Sequence, residues 1–218
     1  SASLVGSEMC IRDSIKGYDF SNIHHVTTAG EPLPPEVSKR FKEISGLRIK
    51  EGFGQTETVL TIATFDWIDA KLGSIGKPSP LFDVKLLNEN DEEVDIGQEG
   101  EICIDVSHGI SPGLFKEYYK NPEKQAAQWH DGYYHCGDTA WKDEDGYIHF
   151  IGRNDDIIKS SGYRIGPYEV ESAVLSHESV SNCAITAYPD EIRGQIVKAT
   201  IILLSLIHIS EPTRLALI

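Results

Sequence analysis

The sequence is poor in positive charge relative to negative charge. It carries 20 Lys and Arg against 34 Asp and Glu in 218 residues, a formal net charge of −14. A chain this acidic is a poor partner for nucleic acid or for an anionic membrane surface. A few local Arg and Lys side chains are still enough to bind a nucleotide.

The sequence also lacks paired cysteines and long apolar runs. Its cysteines, Cys10, Cys103, Cys136 and Cys183, form no CxxC pair and no metal-ligand spacing, which favours free thiols in a reducing cytosol. No apolar run reaches the roughly 18 residues of a membrane helix. The first residues do not follow the charged and then apolar order of a secretory signal. We therefore expect a cytoplasmic chain that has no membrane partner.

The two ends of the chain share a possible coding origin. Residues 4–14 read LVGSEMCIRDS and residues 204–214 read LSLIHISEPTR. One DNA string, read on opposite strands, can encode both segments, and it resembles a transposase adapter used in library preparation. We therefore predict non-native tails at 1–14 and 204–218, which flank a genuine fragment. Authentic terminal strands are the alternative.

Residues 15–72 have the pattern of a strand, a helix and a second strand. Residues 22–28 are strand-like, and Pro35 can occupy the first turn of a helix whose apolar residues follow at helical spacing. A short strand over 47–50 leads into a predicted loop over 51–58. This order predicts part of a parallel sheet, in which ligands bind at the carboxyl ends of the strands.

Residues 73–152 change to short strands separated by Gly, Pro, Asn and Asp. The candidate strands are 82–87, 100–105, 133–134 and 147–151. A short helix is predicted over 121–129, with Pro at its first position. This spacing predicts a small antiparallel sheet or barrel.

Residues 153–203 return to mixed helix and strand, with a helix over 166–175 and strands over 180–187 and 196–203. The predicted fold class is therefore mixed α/β and α+β. It comprises the end of a parallel-sheet subdomain, a small antiparallel β-barrel-like subdomain and the first part of a small α+β C-terminal domain. The boundary between the large domain, 15–152, and the C-terminal domain is expected at 152/153.

The densest polar pattern is Ile151–Glu171, IGRNDDIIKSSGYRIGPYEVE. Glycines allow close approach of the backbone, arginines hold anions, and carboxylates hold hydroxyls or a metal ion. The segment is therefore predicted to grip a phosphorylated ligand and also to bend.

Several motifs occur in a fixed order along the chain. They are TTAGEPL at 27–33, FGQTE at 53–57, YHCGD at 134–138, and GRNDDIIK at 152–159 with its continuation to 171. Together they resemble the adenylate-forming, or AMP-binding, enzymes. Within that superfamily the chain is most similar to the C-terminal part of an acyl-CoA synthetase of the short- or medium-chain type. Such enzymes join a carboxylate to ATP to form acyl-AMP and pyrophosphate, and then acylate coenzyme A.

The resemblance implies roles for the motif residues. The adenine and acyl sites would be lined by Gly30, Glu31, Pro32, Glu51, Gly52, Phe53, Gly54 and Gln55. Thr56 would donate to the α-phosphate, Glu57 would hold Mg²⁺, and Asp138 would accept the ribose hydroxyls. Arg153 would offer its guanidinium to ribose or phosphate oxygens.

Taken singly, these residues have ordinary alternatives. Phe53 can be a core residue, Glu57 a cap and Asp138 a turn residue, while Arg153 can form a surface pair with Asp155. The ordered set of motifs favours the functional interpretation of all of them.

The resemblance also implies a second conformational state, because the family swings its C-terminal domain between half-reactions. Asp155 matches the hinge position. Contacts with coenzyme A would come from Ser161, Gly162, Tyr163 and Arg193. Arg164 would hold a phosphate in either state.

The sequence departs from the complete family pattern in two respects. It contains neither the Gly/Ser/Thr-rich phosphate loop with its Lys nor the catalytic Lys near the C-terminus, so we expect no adenylation by this fragment alone. Gly54 stands where acetate-specific relatives carry Trp. The small residue leaves room for a short- to medium-chain or aryl carboxylic acid.

Two other functions are compatible with the same motifs. One is an adenylation domain that loads the thiol of a carrier protein. The other is a non-catalytic nucleotide-binding module.

Overall fold

The computed structural model describes residues 17–177 and 179–203. This part of the chain contains helices α1 (Pro35–Ser45), α2 (Pro122–Gln128) and α3 (Pro167–Leu175). The strands are β1 Val26–Ala29, β2 Ile49–Phe53, β3 Ile62–Ala63, β4 Lys77–Pro78, β5 Val84–Leu87, β6 Glu99–Asp105, β7 Trp129–His130, β8 Tyr133–Lys142, β9 Ile148–Arg153, β10 Ile158–Ser160, β11 Tyr163–Ile165, β12 Val180–Asp190 and β13 Gly194–Leu203. The predicted tails at 1–14 and 204–218 lie outside the described residues.

The described strands form three sheets. Their orders are β1-β2-β3-β4, then β5-β6-β8-β7 with β9 also pairing with β8, and β11-β10-β13-β12. The helices and sheets confirm the mixed α/β and α+β class. In the first sheet β2 pairs antiparallel with β3, and β3 pairs antiparallel with β4.

The chain divides into two compact units. The first unit comprises 27–33 and 50–155, and the second contains the remaining described residues. None of the described helices has the length and apolar character that crossing a membrane requires.

The core of the first unit lies on the sheet that contains β5 to β9. All its pairings are antiparallel, as the short strands separated by Gly, Pro, Asn and Asp predict. Tyr134, Ile102 and Ile104 are completely buried there. Burying such side chains stabilises the fold by roughly 1.5–3 kcal/mol each, so β8 and β6 form a rigid base for polar residues nearby.

The helix ends follow from local sequence. Pro35 occupies the first turn of α1, and Gly46 ends the helix at φ 74°, in the left-handed region that glycine adopts most readily. The side chain of Asn121 caps α2 by accepting a hydrogen bond from the backbone N–H of Lys124.

Several sequence predictions about local structure are wrong in their bounds. The strand predicted over 22–28 begins only at Val26. The predicted loop over 51–58 begins too early, because Glu51, Gly52 and Phe53 belong to β2, and the last two pair with β3. The strand predicted at 133–134 continues to Lys142, since its pairing with β6 and β9 carries it through the polar residues. The YHCGD motif therefore lies within a strand.

Candidate active site

The side chain of Gln55 joins the motif after β2 to strand β8. Its Nε2 donates hydrogen bonds to the carbonyl oxygen of Cys136, at 2.7 Å, and to Oδ2 of Asp138, at 2.6 Å. Its Oε1 accepts from the hydroxyl of Tyr134 at 2.9 Å. Three hydrogen bonds to one amide fix the rotamer of Gln55 and leave little freedom to the carboxylate of Asp138.

Asp138 is a buried carboxyl group with only 5% of its surface exposed. Burial raises its pKa to about 6, while the hydrogen bond from Gln55 and the charge of Arg153 act in the opposite direction. The group is therefore ionised at neutral pH and is poorly solvated. Such a carboxylate is a strong acceptor for ligand hydroxyl groups.

Strand pairing places Arg153 opposite Asp138 in the β8–β9 ladder. The Nε of Arg153 lies 2.9 Å from Oδ1 of Asp155, and this hydrogen bond lowers the pKa of Asp155. The surface pair that the sequence offered as an alternative for Arg153 is thus present. Both side chains are largely exposed, so this pair contributes about 0–1 kcal/mol.

A second buried carboxyl group that is held by a hydrogen bond is that of Glu51 on β2. Its Oε1 accepts a 2.8 Å hydrogen bond from the backbone N–H of Leu33, the residue that follows the predicted adenine segment Gly30–Pro32. Burial raises the pKa of Glu51 to about 7, against the lowering effect of that hydrogen bond. Glu51 therefore ties the segment after β1 to β2.

Glu57 contacts two side chains from the region around α2. Its Oε1 accepts a 2.9 Å hydrogen bond from the hydroxyl of Tyr118 and lies 3.8 Å from Nζ of Lys124. Oε1 of Gln128 also contacts this hydroxyl, and the single phenolic proton serves one of the two acceptors at a time. The carboxylate belongs to a polar network, although its side chain is still 22% exposed.

Phe53, Gly54 and Thr56 occupy different environments. Phe53 is partly buried against the core, with its ring centroid 6.0 Å from that of Phe150. Thr56 is exposed. A Cβ atom on Gly54 would lie 2.5 Å from the carbonyl oxygen of Val59, so the loop passes too close for a side chain in this backbone conformation.

In the second unit, the candidate coenzyme A residues lie in the turn between β10 and β11 or beside it. Ser161 and Gly162 have φ values of 50° and 87°, typical of the two-residue hairpin turn that joins paired strands such as β10 and β11. The backbone N–H of Ser161 donates to the carbonyl of Arg193 at 3.1 Å. Tyr163 follows the turn with 74% of its surface exposed, and Arg164 pairs with Lys159 across the hairpin.

Within each unit the structure thus brings together residues that are distant in sequence. The first unit holds Gln55, Asp138 and Arg153, and the second holds Ser161 with Arg193. Sequence reasoning missed the supporting partners Tyr134, Tyr118, Lys124 and Leu33. For Tyr134 a signal was available, because it is the first residue of the YHCGD motif.

The fold and the order of these motifs are those of the AMP-binding enzymes. Residues 6–119 match the family described as AMP-binding enzyme, and residues 169–214 match the AMP-binding enzyme C-terminal domain. The chain belongs to the AMP-binding enzyme family.

Its relatives include acyl-CoA synthetases. The chain is 48% identical over 195 residues to the mitochondrial acyl-coenzyme A synthetase ACSM3 of Mus musculus, covering 89% of this chain and 34% of the relative. It is 46% identical over 191 residues to YtcI, an uncharacterized acyl-CoA ligase of Bacillus subtilis (strain 168), covering 88% of this chain and 36% of that relative. The chain thus spans about a third of the length of these relatives.

Solved structures show the same fold. The anthranilate CoA ligase AuaEII, in complex with anthranoyl-AMP, matches with a TM-score of 0.80 and 30% identity, over 91% of this chain and 37% of the ligase. ATP-bound MatB from Rhodopseudomonas palustris matches with a TM-score of 0.77 and 25% identity, over 86% of this chain and 36% of MatB.

Proposed function

We propose that the chain is a fragment of an ATP-dependent acyl-CoA synthetase, which activates a carboxylic acid as acyl-AMP and transfers the acyl group to coenzyme A. The observation that carries the proposal is the buried carboxylate of Asp138, held by Gln55 and paired in register with Arg153. Similarity to named acyl-CoA synthetases and to a ligase bound to an acyl-AMP supports it.

The ribose of the adenylate is the ligand we assign to Asp138. Gln55 engages Oδ2, so a ribose hydroxyl can approach from the side of Oδ1. A pKa of about 6 keeps the carboxylate ionised at neutral pH, and hydrogen bonds to a charged acceptor contribute about 1.5–3 kcal/mol each. Arg153 would then present its guanidinium to ribose or phosphate oxygens, exchanging its surface pair with Asp155 for the ligand.

The adenine and acyl portions of the adenylate would lie along the segment that is hydrogen-bonded to Glu51. Its hydrogen bond to Leu33 places the residues just before Leu33 beside β2. We assign the nucleotide base to this edge, at Gly30–Pro32 and Glu51–Gln55. Phe53 would contribute to this base site as a partly buried ring at the edge of the core, and not as an exposed ring.

Glu57 and Thr56 are the residues we assign to the phosphate end. Mg²⁺ is usually held by one or two carboxylates together with substrate phosphates, and one oxygen of Glu57 remains for the ion when Oε1 faces Tyr118. The ion would neutralise phosphate charge, and the exposed hydroxyl of Thr56 can donate to the α-phosphate.

Coenzyme A is assigned to the turn in the second unit. Ser161, Gly162 and Tyr163 form an exposed hairpin end beside the backbone of Arg193, and Arg164 adds a positive charge for phosphate. Asp155, the last residue of the first unit, is assigned as the hinge. These roles complete the thioester-forming half of the proposed reaction.

The proposed acid is a short- to medium-chain or aryl carboxylate. Gly54 leaves the acyl side of the loop without a side chain, and AuaEII, which is similar in fold, is an anthranilate ligase. In the intact enzyme, Gly54→Trp should shift preference toward acetate. Because a Cβ here would meet the Val59 carbonyl, that shift requires the 54–59 loop to move.

Calorimetry with a hydrolysis-resistant butyryl-AMP analogue tests the proposal. We expect the 218-residue chain to bind the analogue but not to catalyse ATP–pyrophosphate exchange, because the chain spans about a third of its relatives. A chain that is folded by circular dichroism yet binds neither the analogue nor AMP would contradict the proposal. Robust exchange by the chain alone would contradict the expectation of an inactive fragment.

A further inference from the structure

Three side chains that take no part in the proposed reaction converge beside β8. Asp91 lies in the turn between β5 and β6, His130 on β7 and His135 on β8. Their ligand atoms all lie within 4.8 Å of one another. Two imidazole nitrogens and a carboxylate oxygen are a donor set typical of zinc sites. We call these three residues the histidine cluster.

The buried nitrogen of His135 is the decisive feature of the cluster. His135 is only 6% exposed, and its Nε2 is buried without a hydrogen-bond partner among the described residues. That atom lies 3.9 Å from Oδ1 of Asp91. Buried polar atoms in proteins are nearly always satisfied, so an unpartnered imidazole nitrogen that faces a carboxylate points to a missing ligand.

The other nitrogen of His135 is already engaged. Its Nδ1 lies 3.4 Å from Oε2 of Glu101, whose Oε1 accepts a 2.8 Å hydrogen bond from the backbone N–H of Gly137. A carboxylate that accepts Nδ1–H leaves the lone pair on Nε2. Metal-binding histidines are commonly oriented in this way by a carboxylate.

His130 completes the donor set from the neighbouring strand. Its ring stacks on that of His135, with centroids 3.9 Å apart and planes inclined by 17°. Its Nδ1 lies 3.9 Å from Oδ2 of Asp91 and 3.0 Å from Oδ2 of Asp131, so ligation through Nδ1 requires this atom to give up its contact with Asp131.

We propose that Asp91, His130 and His135 bind one zinc ion, with Glu101 orienting His135. Donor atoms around tetrahedral zinc are separated by about 3.3 Å, given bonds of about 2.0–2.1 Å. The three donor atoms lie within 4.8 Å of one another, so binding requires them to move together by up to about 1.5 Å. An imidazole-rich set suits zinc better than Mg²⁺ or Ca²⁺, which prefer oxygen ligands.

A second donor set, Glu101, Cys103 and His135, shares one histidine with the cluster. It would use Nδ1 of His135 and would therefore leave Nε2 buried and unsatisfied. The geometry therefore favours the set that contains His130. Zinc there would join the β5–β6 turn to the β7–β8 hairpin, on the strand that carries Asp138 three residues further on.

Zinc titration of the chelator-stripped chain, monitored by competition with a chromophoric chelator, tests the proposal. We expect one tight site per chain, weakened at least tenfold by Asp91→Asn and by His130→Ala. His108→Ala, which changes an exposed histidine outside the cluster, should bind zinc like the unaltered chain. Both cluster variants alter partly exposed side chains, so the fold should survive, as far-UV circular dichroism will show.

Cobalt substitution distinguishes the two donor sets. Ligation by Asp91, His130 and His135 predicts visible d–d bands without the near-ultraviolet charge-transfer band of a thiolate ligand. No tight zinc site in the folded chain, equal affinity in the cluster variants and the His108 control, or a thiolate band that Cys103→Ala removes would each overturn the assignment.

Discussion

The side-chain amide of Gln55 donates a 2.6 Å hydrogen bond to Oδ2 of Asp138, across 83 positions of sequence. This contact joins two motifs that the sequence shows only as separate strings. The same amide also contacts Tyr134 and the carbonyl of Cys136. Gln55 is therefore a positioning residue for the carboxylate that we assign to ribose.

Replacing Gln55 by Leu should destabilise the first unit by about 2–4 kcal/mol, because the buried groups around Tyr134 and Asp138 lose their partner. The pKa of Asp138 should also rise, since the hydrogen bond from Gln55 lowers it. Urea unfolding of the chain measures the stability, and carboxyl NMR titration follows the pKa.

The control for this change is Gln98→Leu at an exposed position, which should alter stability by less than about 0.5 kcal/mol. If Gln55→Leu were no more destabilising than Gln98→Leu, the proposed bracing role of the amide would be wrong.

Glu51 should make stability depend on pH. Its pKa is about 7 in the folded chain against an ordinary value of 4.5, so the folded state binds more protons than the unfolded state between these values. The resulting stability is fully present below about pH 4.5 and is lost as pH rises toward 7. Glu51→Gln keeps an acceptor for Leu33 and removes the charge, so it should raise stability at pH 8 by on the order of 2–3 kcal/mol.

Chemical unfolding of both proteins at pH 4 and pH 8 measures this effect. The parent and Glu51→Gln should differ little in free energy of unfolding at pH 4. In the variant the free energy of unfolding should still depend on pH, because the pKa of Asp138 is also raised. The exposed change Glu117→Gln serves as the control. A Glu51→Gln variant that is less stable than the parent at pH 8 would contradict the assignment of a buried, poorly solvated carboxylate.

The two glycines flanking Phe53 should respond differently to Ala. A Cβ on Gly54 would lie 2.5 Å from the Val59 carbonyl, whereas a Cβ on Gly52 would meet the end of the flexible Leu60 side chain at 2.9 Å. Gly54→Ala should therefore cost about 1–3 kcal/mol and Gly52→Ala clearly less. Thermal unfolding measures both variants, and a reversed order would show that the 54–59 loop yields more easily than the Leu60 side chain.

Elements with strong local signals could be predicted from sequence. Pro35 and Pro167 mark the starts of α1 and α3, and both helices are found where the pattern places them. The turn residues between the short strands also placed β5 and β6 to within two residues. Here propensity and tertiary packing agree, so local reasoning is sufficient.

Elements defined by pairing could not be predicted in this way. β3 and β7 have two residues each, too few to show any period. β8 passes through Gly137 and Asp138, which disfavour strands locally, because β6 and β9 supply hydrogen bonds on both sides. The same limit applies to the site, since the contacts of Gln55 with Asp138 and of Glu57 with Tyr118 depend on registers that only the folded chain reveals.

The roles of the motif residues stay predictions, as do the tails, the domain boundaries and the cellular compartment. Of these, the role of Asp138 is central, because the proposed adenylate site is arranged around its carboxylate. A test of this role must separate loss of a ribose contact from general damage to the fold. Comparing two ligands on the same variant achieves this.

The most direct measurement is a calorimetric comparison of AMP and 2′,3′-dideoxy-AMP binding to the chain, to Asp138→Ala and to the exposed control Asp69→Ala. The parent and the control should prefer AMP by about tenfold or more, since hydrogen bonds to a charged acceptor contribute about 1.5–3 kcal/mol. In Asp138→Ala the preference should fall below about threefold. An unchanged preference in Asp138→Ala, or no preference in the parent, would contradict the assignment of Asp138 to the ribose.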